Sequence, residues 1–358
     1  MQLLRWGIMG SFYDNYNDSA GELRFFANVV FAIVPILGAY FIWVNSWKVP
    51  PKVLAVIVGT IVVAALAVNL FPFQFHNPDA MLGFSVPMTF GLAALHLPVL
   101  LWLLFGVIYT RGDWRNQHSQ MSFMRFTGEW VIHLVLFALG GMALLGLTAG
   151  ILSVVDIVPI TFYLNWLLPF AIPGAIFVAA WLVNRKTNVA ENIAPVLARV
   201  FTPLTVSTLL TTLFVILSGG PLVAANRYLL ILLDIILILV LALVLYSTSA
   251  RDPLAEPNWF DWLLLATLAI AFTVNLFALA AMVTRIAEYG ASANKAAALG
   301  LNILLFVHLI LTGLNLFKFL RRHTTFQTVE KAQANFLPIY AAWAAVVILI
   351  FPPIFRFA

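Results

Sequence analysis

Long stretches of continuously apolar residues, separated by short polar segments, dominate this chain. An α-helix needs about 20 apolar residues to cross the hydrocarbon core of a bilayer, and these stretches have that length. A transmembrane barrel would instead show strands of about 10 alternating residues. The pattern therefore predicts membrane-spanning helices. The ten candidate spans are 25–47, 53–71, 88–110, 129–153, 162–183, 197–218, 226–247, 260–284, 296–318 and 336–355.

Composition supports a membrane location. Apolar residues make up 63% of the 358 residues and charged residues only 9%, whereas a soluble domain carries about 25% charged residues. The connections between the spans are too short to hold a catalytic domain outside the membrane. We therefore predict an all-α, polytopic transmembrane helix bundle of about ten spans. Residues 1–24 form a short outer segment, whose interfacial location stays open, and residues 25–358 form one transmembrane domain.

Basic residues predict the orientation of this bundle. Loops that follow odd-numbered spans hold 13 of the 19 Lys and Arg residues, and the opposite side holds six. Basic loops are retained in the cytoplasm, so both termini are expected on the outer side. The first 23 residues lack the clean apolar core and cleavage site of a removable signal peptide.

Asp234 is the one acid well inside a predicted span, where it needs a polar neighbour or a proton. Counting back from the turn near Leu222 puts the preceding span's threonines at a similar depth. Four of them share one helix face, namely Thr202, Thr205, Thr208 and Thr212. We expect Asp234 to face these hydroxyls, either as a proton carrier or as a structural hydrogen-bonding acid.

A second intramembrane polar patch is predicted in the hairpin of spans eight and nine. His308, Thr312 and Asn315 share a face at i, i+4 and i+7. Counting from the turn near Gly290 places Thr273 and Asn275 level with His308. Interhelical hydrogen bonding is the simpler interpretation, and a proton relay is the alternative.

Two features near span four have mainly structural interpretations. Glu129 and His133 are an i, i+4 pair at its cytoplasmic start, and a local interface pair explains them better than two metal ligands do. Gly140, Gly141, Gly146 and Gly150 favour close helix packing inside the bundle, with a homodimer contact as the alternative. His96 is interpreted as a core histidine.

Several kinds of chemistry lack support in the sequence. The chain has no cysteine, no phosphate-binding glycine loop, no dinucleotide fingerprint and no nucleophile elbow. We therefore expect no cofactor, no metal and no nucleic acid. The expected partners are membrane lipids, with anionic headgroups at the cytoplasmic basic loops. A homo-oligomer or a membrane-complex partner stays open.

Scattered motifs carry a family resemblance. They are Arg285-Ile286-Ala287-Glu288-Tyr289-Gly290, Ser292-Ala293-Asn294-Lys295, Phe126-Thr127-Gly128-Glu129, Gly140-Gly141, Leu337-Pro338-Ile339-Tyr340-Ala341-Ala342-Trp343 and Phe351-Pro352-Pro353. With these motifs the chain resembles domain-of-unknown-function family 4153, a family of bacterial polytopic membrane proteins. The resemblance implies a bacterial cytoplasmic membrane location and no particular substrate.

The first of these motifs predicts an outer turn, whose family-like residues are Arg285, Glu288, Tyr289, Gly290 and Asn294. Gly290 can take a positive φ and end span eight, and Ser292 can cap span nine. Arg285 and Glu288 can pair at i, i+3. Both a rigid hairpin turn and a binding loop fit this pattern.

These observations support three functional hypotheses. The first is a permease-like or proton-linked carrier that uses Asp234. The second is a non-catalytic scaffold or subunit of an envelope or defence complex, which would use the outer turn and the glycines of span four. The third is a lipid-modifying enzyme with Glu129 and His133 at the inner interface, although nothing else in the sequence favours catalysis.

Overall fold

A computed structural model describes residues 19–74, 86–153, 162–185, 188–219 and 227–358. Across these ranges the structure is all-helical, with 84% helix and no strand. The helices are α1 (Ser19–Val44), α2 (Pro51–Leu70), α3 (Met88–Tyr109), α4 (Gln117–Ser153), α5 (Leu168–Asn184), α6 (Asn188–Gly219), α7 (Arg227–Ser249), α8 (Trp259–Tyr289), α9 (Ala293–Leu320), α10 (Gln327–Ala334), α11 (Leu337–Leu349) and α12 (Phe351–Ile354).

In the part of the chain that the structure describes, nine helices are long and apolar enough to cross a membrane. The fifth predicted span falls short of that length because a π-helical turn, Tyr163–Leu167, precedes the 17 residues of α5. The two pieces run on without a break, and the Leu168 N–H donates to the Tyr163 carbonyl five residues earlier. Pro169 has no N–H to donate, which accounts for irregular hydrogen bonding in this turn. The prediction of a polytopic helix bundle is confirmed.

The described helices pack into two groups. The first group contains α1, α2, α3 and α11, together with the first turns of α4 and the end of α5. Its core surrounds Phe41, whose ring lies 5.4 Å from the rings of Phe105 and Phe126. The second group contains α6, α7, α8 and α9, with Leu237 and Leu305 fully buried in its core. Each group therefore has a hydrophobic core of its own.

We call one end of the bundle the Gly290 end. Gly290 ends α8 with a φ of 73°, as the sequence predicts, and Ser292 stands at the N-cap position of α9 without a side-chain cap bond. The C-terminal residues lie at the same end, because Phe351 packs with Ala297 in the first turns of α9. The Ala358 carbonyl accepts 2.9 Å hydrogen bonds from both the N–H and the hydroxyl of Thr89, at the start of α3.

The opposite end, which we call the Arg251 end, is fixed by a buried ion pair. Arg251 Nε lies 2.9 Å from Asp261 Oδ1, and the two side chains are 10% and 2% exposed. The guanidinium carbon also lies 4.8 Å and 4.3 Å from the ring centroids of Phe319 and Phe326. Asp261 additionally closes a capping box with Asn258 at the start of α8.

The short helix α10 joins the two groups at the Arg251 end. Val329 packs in the core of the second group and Ala334 in that of the first. Gln333 donates a 2.9 Å hydrogen bond to the Thr248 hydroxyl at the end of α7. Gln117, at the start of α4, donates a 2.9 Å bond to the Glu330 carboxylate. These polar contacts tie the groups together on this side.

Candidate functional site

A cavity of about 1000 Å³ lies between the two helix groups. Helices α3 and α11 form its wall on the side of the first group, and α7, α8 and α9 form its wall on the side of the second. Leucine, isoleucine, valine and alanine side chains make up most of the surface, and few polar groups reach it. The lining polar residues are His96, Asp234, Arg285, Ser292, Asn294, Lys295 and Tyr340. A large apolar pocket with a few convergent polar groups is the usual form of a small-molecule site.

Asp234 reaches this cavity from α7 and is held by α9. Its Oδ1 accepts a 2.7 Å hydrogen bond from Asn302 Nδ2, and Asn302 is completely buried. Asn302 is seven residues beyond Lys295 on the same helix, which is about 10 Å along the axis. The acid therefore lies well below the Gly290 end of the cavity.

The threonines of α6 were expected to face Asp234, but their hydroxyls form hydrogen bonds to the backbone of their own helix. Thr205, Thr208 and Thr212 each donate to the carbonyl four residues earlier in α6, at 2.8–2.9 Å. Thr208 is exposed, although Thr202 and Thr205 are buried. Hydroxyls in helices commonly bond back in this way, so these side chains satisfy themselves within their own helix.

Asn302 connects Asp234 to a second buried amide. Asn275 on α8 donates to the Asn302 carbonyl at 3.4 Å, and Met282 Sδ lies 3.6 Å from Asn302 Nδ2. The side-chain oxygens of both asparagines are buried, and neither accepts a hydrogen bond in the described structure. Such acceptors are costly in a low-dielectric interior and are typical of sites that bind or relay.

The second predicted patch is divided between two places. His308 is 1% exposed, and its Nδ1 lies 3.0 Å from the Tyr340 hydroxyl of α11, while its ring stacks on Phe336 with centroids 4.1 Å apart. Tyr340 lines the cavity, so His308 is coupled to the cavity through the phenol. The hairpin patch was predicted to hold His308 and Asn275 together, and the structure gives the two side chains different partners: His308 bonds to α11, and Asn275 bonds to the Asn302 carbonyl of α9.

The other three members of the predicted patch differ in their surroundings. Thr273 and Asn315 donate to carbonyls four residues earlier in their own helices. Thr312 is 2% exposed, and its hydroxyl has no hydrogen-bond partner among the described residues. Helix α9 thus holds three buried atoms without partners among the described residues, namely Asn302 Oδ1, His308 Nε2 and Thr312 Oγ1.

Basic side chains stand where the cavity meets the Gly290 end. Arg285 from the last turns of α8 and Lys295 from the first turn of α9 both line it, as does Asn294. The Lys295 ammonium donates 2.8 Å to the Gly290 carbonyl and lies 5.6 Å from the Tyr289 ring centroid. Glu288 and Tyr289 are exposed outside the cavity. The predicted outer turn is therefore both a hairpin turn and part of the cavity lining.

Three residues that matter at this site were not identified from the sequence. Asn302 and Tyr340 are the hydrogen-bond partners of Asp234 and His308, and His96 lines the cavity instead of lying in the core. Asn302 and His308 are six residues apart and lie on different faces of α9, so their spacing gave no signal for either contact.

The pair at the start of span four is not a side-chain pair. The Glu129 carboxylate accepts a 3.1 Å hydrogen bond from Arg125 Nε, and His133 Nδ1 lies 2.8 Å from the Glu129 backbone carbonyl. The i, i+4 spacing favours each of these contacts equally well. Among the described residues, no three His, Asp or Glu side chains are grouped as metal ligands would be.

Three of the glycines of α4, namely Gly140, Gly141 and Gly146, do not serve close packing among the described residues. A β-carbon at Gly140, Gly141 or Gly146 would meet nothing within 4 Å. Neighbouring Leu139 and Leu144 are 56% and 68% exposed. The side-chain environment of Gly150 lies outside the described part of the structure. The second half of α4 thus presents an exposed apolar face.

Comparison with known proteins adds no family. No family model, curated protein or solved structure matches this chain. The resemblance to domain-of-unknown-function family 4153 therefore stays a prediction. What indicates function is therefore the geometry of the cavity, in a helical fold consistent with a multi-pass membrane protein.

Proposed function

We propose that this protein is a permease-like, proton-linked carrier of the bacterial cytoplasmic membrane. The observation that carries the proposal is the position of Asp234, an acid within a membrane span that lines a cavity between two separately packed helix groups. Ionisable groups inside membranes are expensive to keep and mark substrate or proton pathways. Carriers commonly place their sites near the membrane midplane, between two units that rock against each other.

The contacts around the cavity support such a rocking motion. At the Arg251 end, α10 ties the groups through Gln333–Thr248 and Gln117–Glu330. In the proposed cycle, these bonds close the Arg251 side while the cavity is accessible near Gly290. Their release, together with closure around Lys295, would turn the site toward the other side.

Asp234 would carry the coupled proton. In its ionised form it accepts from Asn302, and in its protonated form it would no longer attract the cavity's basic residues. His308 on α9 and Tyr340 on α11 supply a second pair of exchangeable protons beside the cavity. We assign the Arg251 end to the cytoplasm, because the basic loops concentrate on that side.

The test is flux through purified protein in liposomes, with an internal pH-sensitive dye and a panel of ions and small solutes. Asp234→Asn is expected to abolish coupled proton movement. The control is Glu256→Gln, since Glu256 is 77% exposed in a surface ion pair with Arg322. Equal thermal midpoints would show that both variants fold. Absence of any flux that depends on Asp234 across the panel would overturn the proposal.

The exposed half of α4 favours a second candidate, a non-catalytic scaffold. Gly140, Gly141 and Gly146 have open space around them in the described structure, which allows close approach of another transmembrane helix. Gentle crosslinking in membranes followed by affinity purification would test this function. Recovery of the monomer alone would count against it, whereas a specific product lost on Gly141→Leu would support it.

A further inference from the structure

The distribution of charge and apolar surface in the cavity indicates what kind of molecule it takes. The polar groups are not spread evenly. Arg285, Ser292, Asn294 and Lys295 cluster at the Gly290 end, and below them most lining side chains are aliphatic. A small hydrophilic solute would find few partners along such walls, because burying its polar groups there without hydrogen bonds is unfavourable.

The length of the apolar wall gives a second indication. Lining residues on α7 run from Leu230 to Leu245, and those on α3 run from Met88 to Leu103. Each stretch covers fifteen helical steps, which is about 22 Å at 1.5 Å per residue. The cavity therefore extends further than one leaflet of a bilayer whose hydrocarbon core is about 30 Å thick.

The charge at the mouth of the cavity, at the Gly290 end, gives a third indication of the ligand. Arg285 and Lys295 are both basic, and neither Glu288 nor any other acid lines that end of the cavity among the described residues. Among the described residues, Asp234 is the one acid that lines the cavity, and its partner Asn302 lies about 10 Å deeper than Lys295 by helical rise. The mouth thus favours an anion, and the long wall favours a hydrocarbon chain.

We infer that the cavity binds an anionic phospholipid, with the headgroup at Arg285 and Lys295 and an acyl chain along α3 and α7. This inference deepens the carrier proposal, and it rests on that proposal for the further claim that such an amphiphile is what the protein moves. Asp234 then lies beside the chain below the headgroup, where its ionised form would oppose deeper entry of an anion.

Photolabelling of the full chain in liposomes tests the inference. The probes are a phosphatidylglycerol and a phosphatidylcholine that carry the same diazirine on one acyl chain. We expect the phosphatidylglycerol probe to label cavity-lining segments of α3 and α7 more strongly than the phosphatidylcholine probe. Lys295→Gln should reduce this labelling about fivefold, the effect of one basic side chain near an anionic headgroup. Lys295→Arg should restore it.

Two controls separate the cavity from the general lipid surface. Lys318→Gln removes a basic residue from the exposed, opposite end of the same helix and should leave cavity labelling unchanged. Ala298→Phe should fill the cavity and block labelling, whereas Ala280→Phe, on an exposed face of α8, should not. Thermal midpoints verify that each variant is folded.

The outcomes distinguish the two proposals. The lipid site is overturned if labelling does not depend on headgroup charge, or if labelling is unchanged in a folded Ala298→Phe variant. The carrier proposal is then tested separately by the flux measurement. Labelling as expected, with no lipid or solute movement that depends on Asp234, establishes the lipid site and overturns the carrier.

Discussion

Replacing Arg251 should destabilise this protein more than any single change on its surface. Arg251 Nε and Nη2 donate to the two Asp261 carboxylate oxygens at 2.9 and 3.1 Å, and Arg251 also donates to the carbonyls of Asp252, Ala255 and Glu256 at 2.8–3.0 Å. One side chain thus fixes the whole connection between α7 and α8.

The magnitude follows from burial. Arg251→Met keeps much of the side-chain volume but leaves the carboxylate of Asp261, which is 2% exposed, without its cation. Breaking one partner of a buried ion pair costs about 3–5 kcal/mol. We expect a loss of this size in the free energy of unfolding, measured by equilibrium unfolding in mixed micelles. The matched control, Arg322→Met, breaks an ion pair that is about three-quarters exposed and should cost at most about 1 kcal/mol.

A double-mutant cycle completes this test. Arg251→Met leaves the Asp261 carboxylate without its cation, and Asp261→Asn removes that charge. The double variant should therefore lose less free energy of unfolding than the two single variants lose together. If Arg251→Met cost no more than Arg322→Met, or if the cycle gave no coupling, the ion pair would not be the element that fixes the Arg251 end.

Two further substitutions probe the walls of the cavity. A β-carbon at Gly300 would overlap the indole ring of Trp343, so Gly300→Ala should cost about 1–3 kcal/mol of stability by overpacking. The control, Gly59→Ala, places a β-carbon with no neighbour within 4 Å and should cost no stability. Equal thermal midpoints for the two variants would contradict this packing. Asn302→Leu removes the donor to Asp234 and should cost about 1.5–3 kcal/mol if that acid is ionised. Asn315→Leu removes only a bond within its own helix and should cost less, as thermal midpoints in one detergent would show.

Much of the fold could be predicted because each span carries its own signal. Continuous apolarity over about 20 residues reports a membrane helix without reference to any other part of the chain. The turn at Gly290 was predictable for the same reason, since a positive φ at a helix end is a local requirement that glycine meets. Local physics determined both features.

The hydrogen-bond partners at the site could not be predicted in this way. Depth counting assumed that Asp234 bonds across its own hairpin, but the donor is Asn302, which lies 68 residues away in sequence. His308 likewise reaches Tyr340 on the last span instead of its hairpin neighbour. Which helices become neighbours depends on the packing of the whole bundle, and a single sequence records only the order of the spans.

The threonines of α6 were misleading for a different reason. A stripe of hydroxyls on one face suggests a surface for an acid, but each hydroxyl can bond to a carbonyl four residues earlier in its own helix, and Thr205, Thr208 and Thr212 do so. The amide of Asn302 also bonds within its helix, to the Ala298 carbonyl at 2.9 Å, and still reaches the acid. Side-chain length and packing together decide the partner.

The central claim is that the cavity beside Asp234 opens toward one side of the membrane at a time. The chain contains no cysteine, so Ala298→Cys gives a single thiol on the cavity wall and Ala280→Cys gives one on an exposed face of α8. The most direct measurement is the rate at which a membrane-impermeant maleimide reacts with each thiol from each side. We expect the thiol on the cavity wall to react faster than the control from the Gly290 side, and to become reactive from the Arg251 side under an imposed pH gradient. Equal rates for the two thiols from both sides, with or without the gradient, would contradict a carrier.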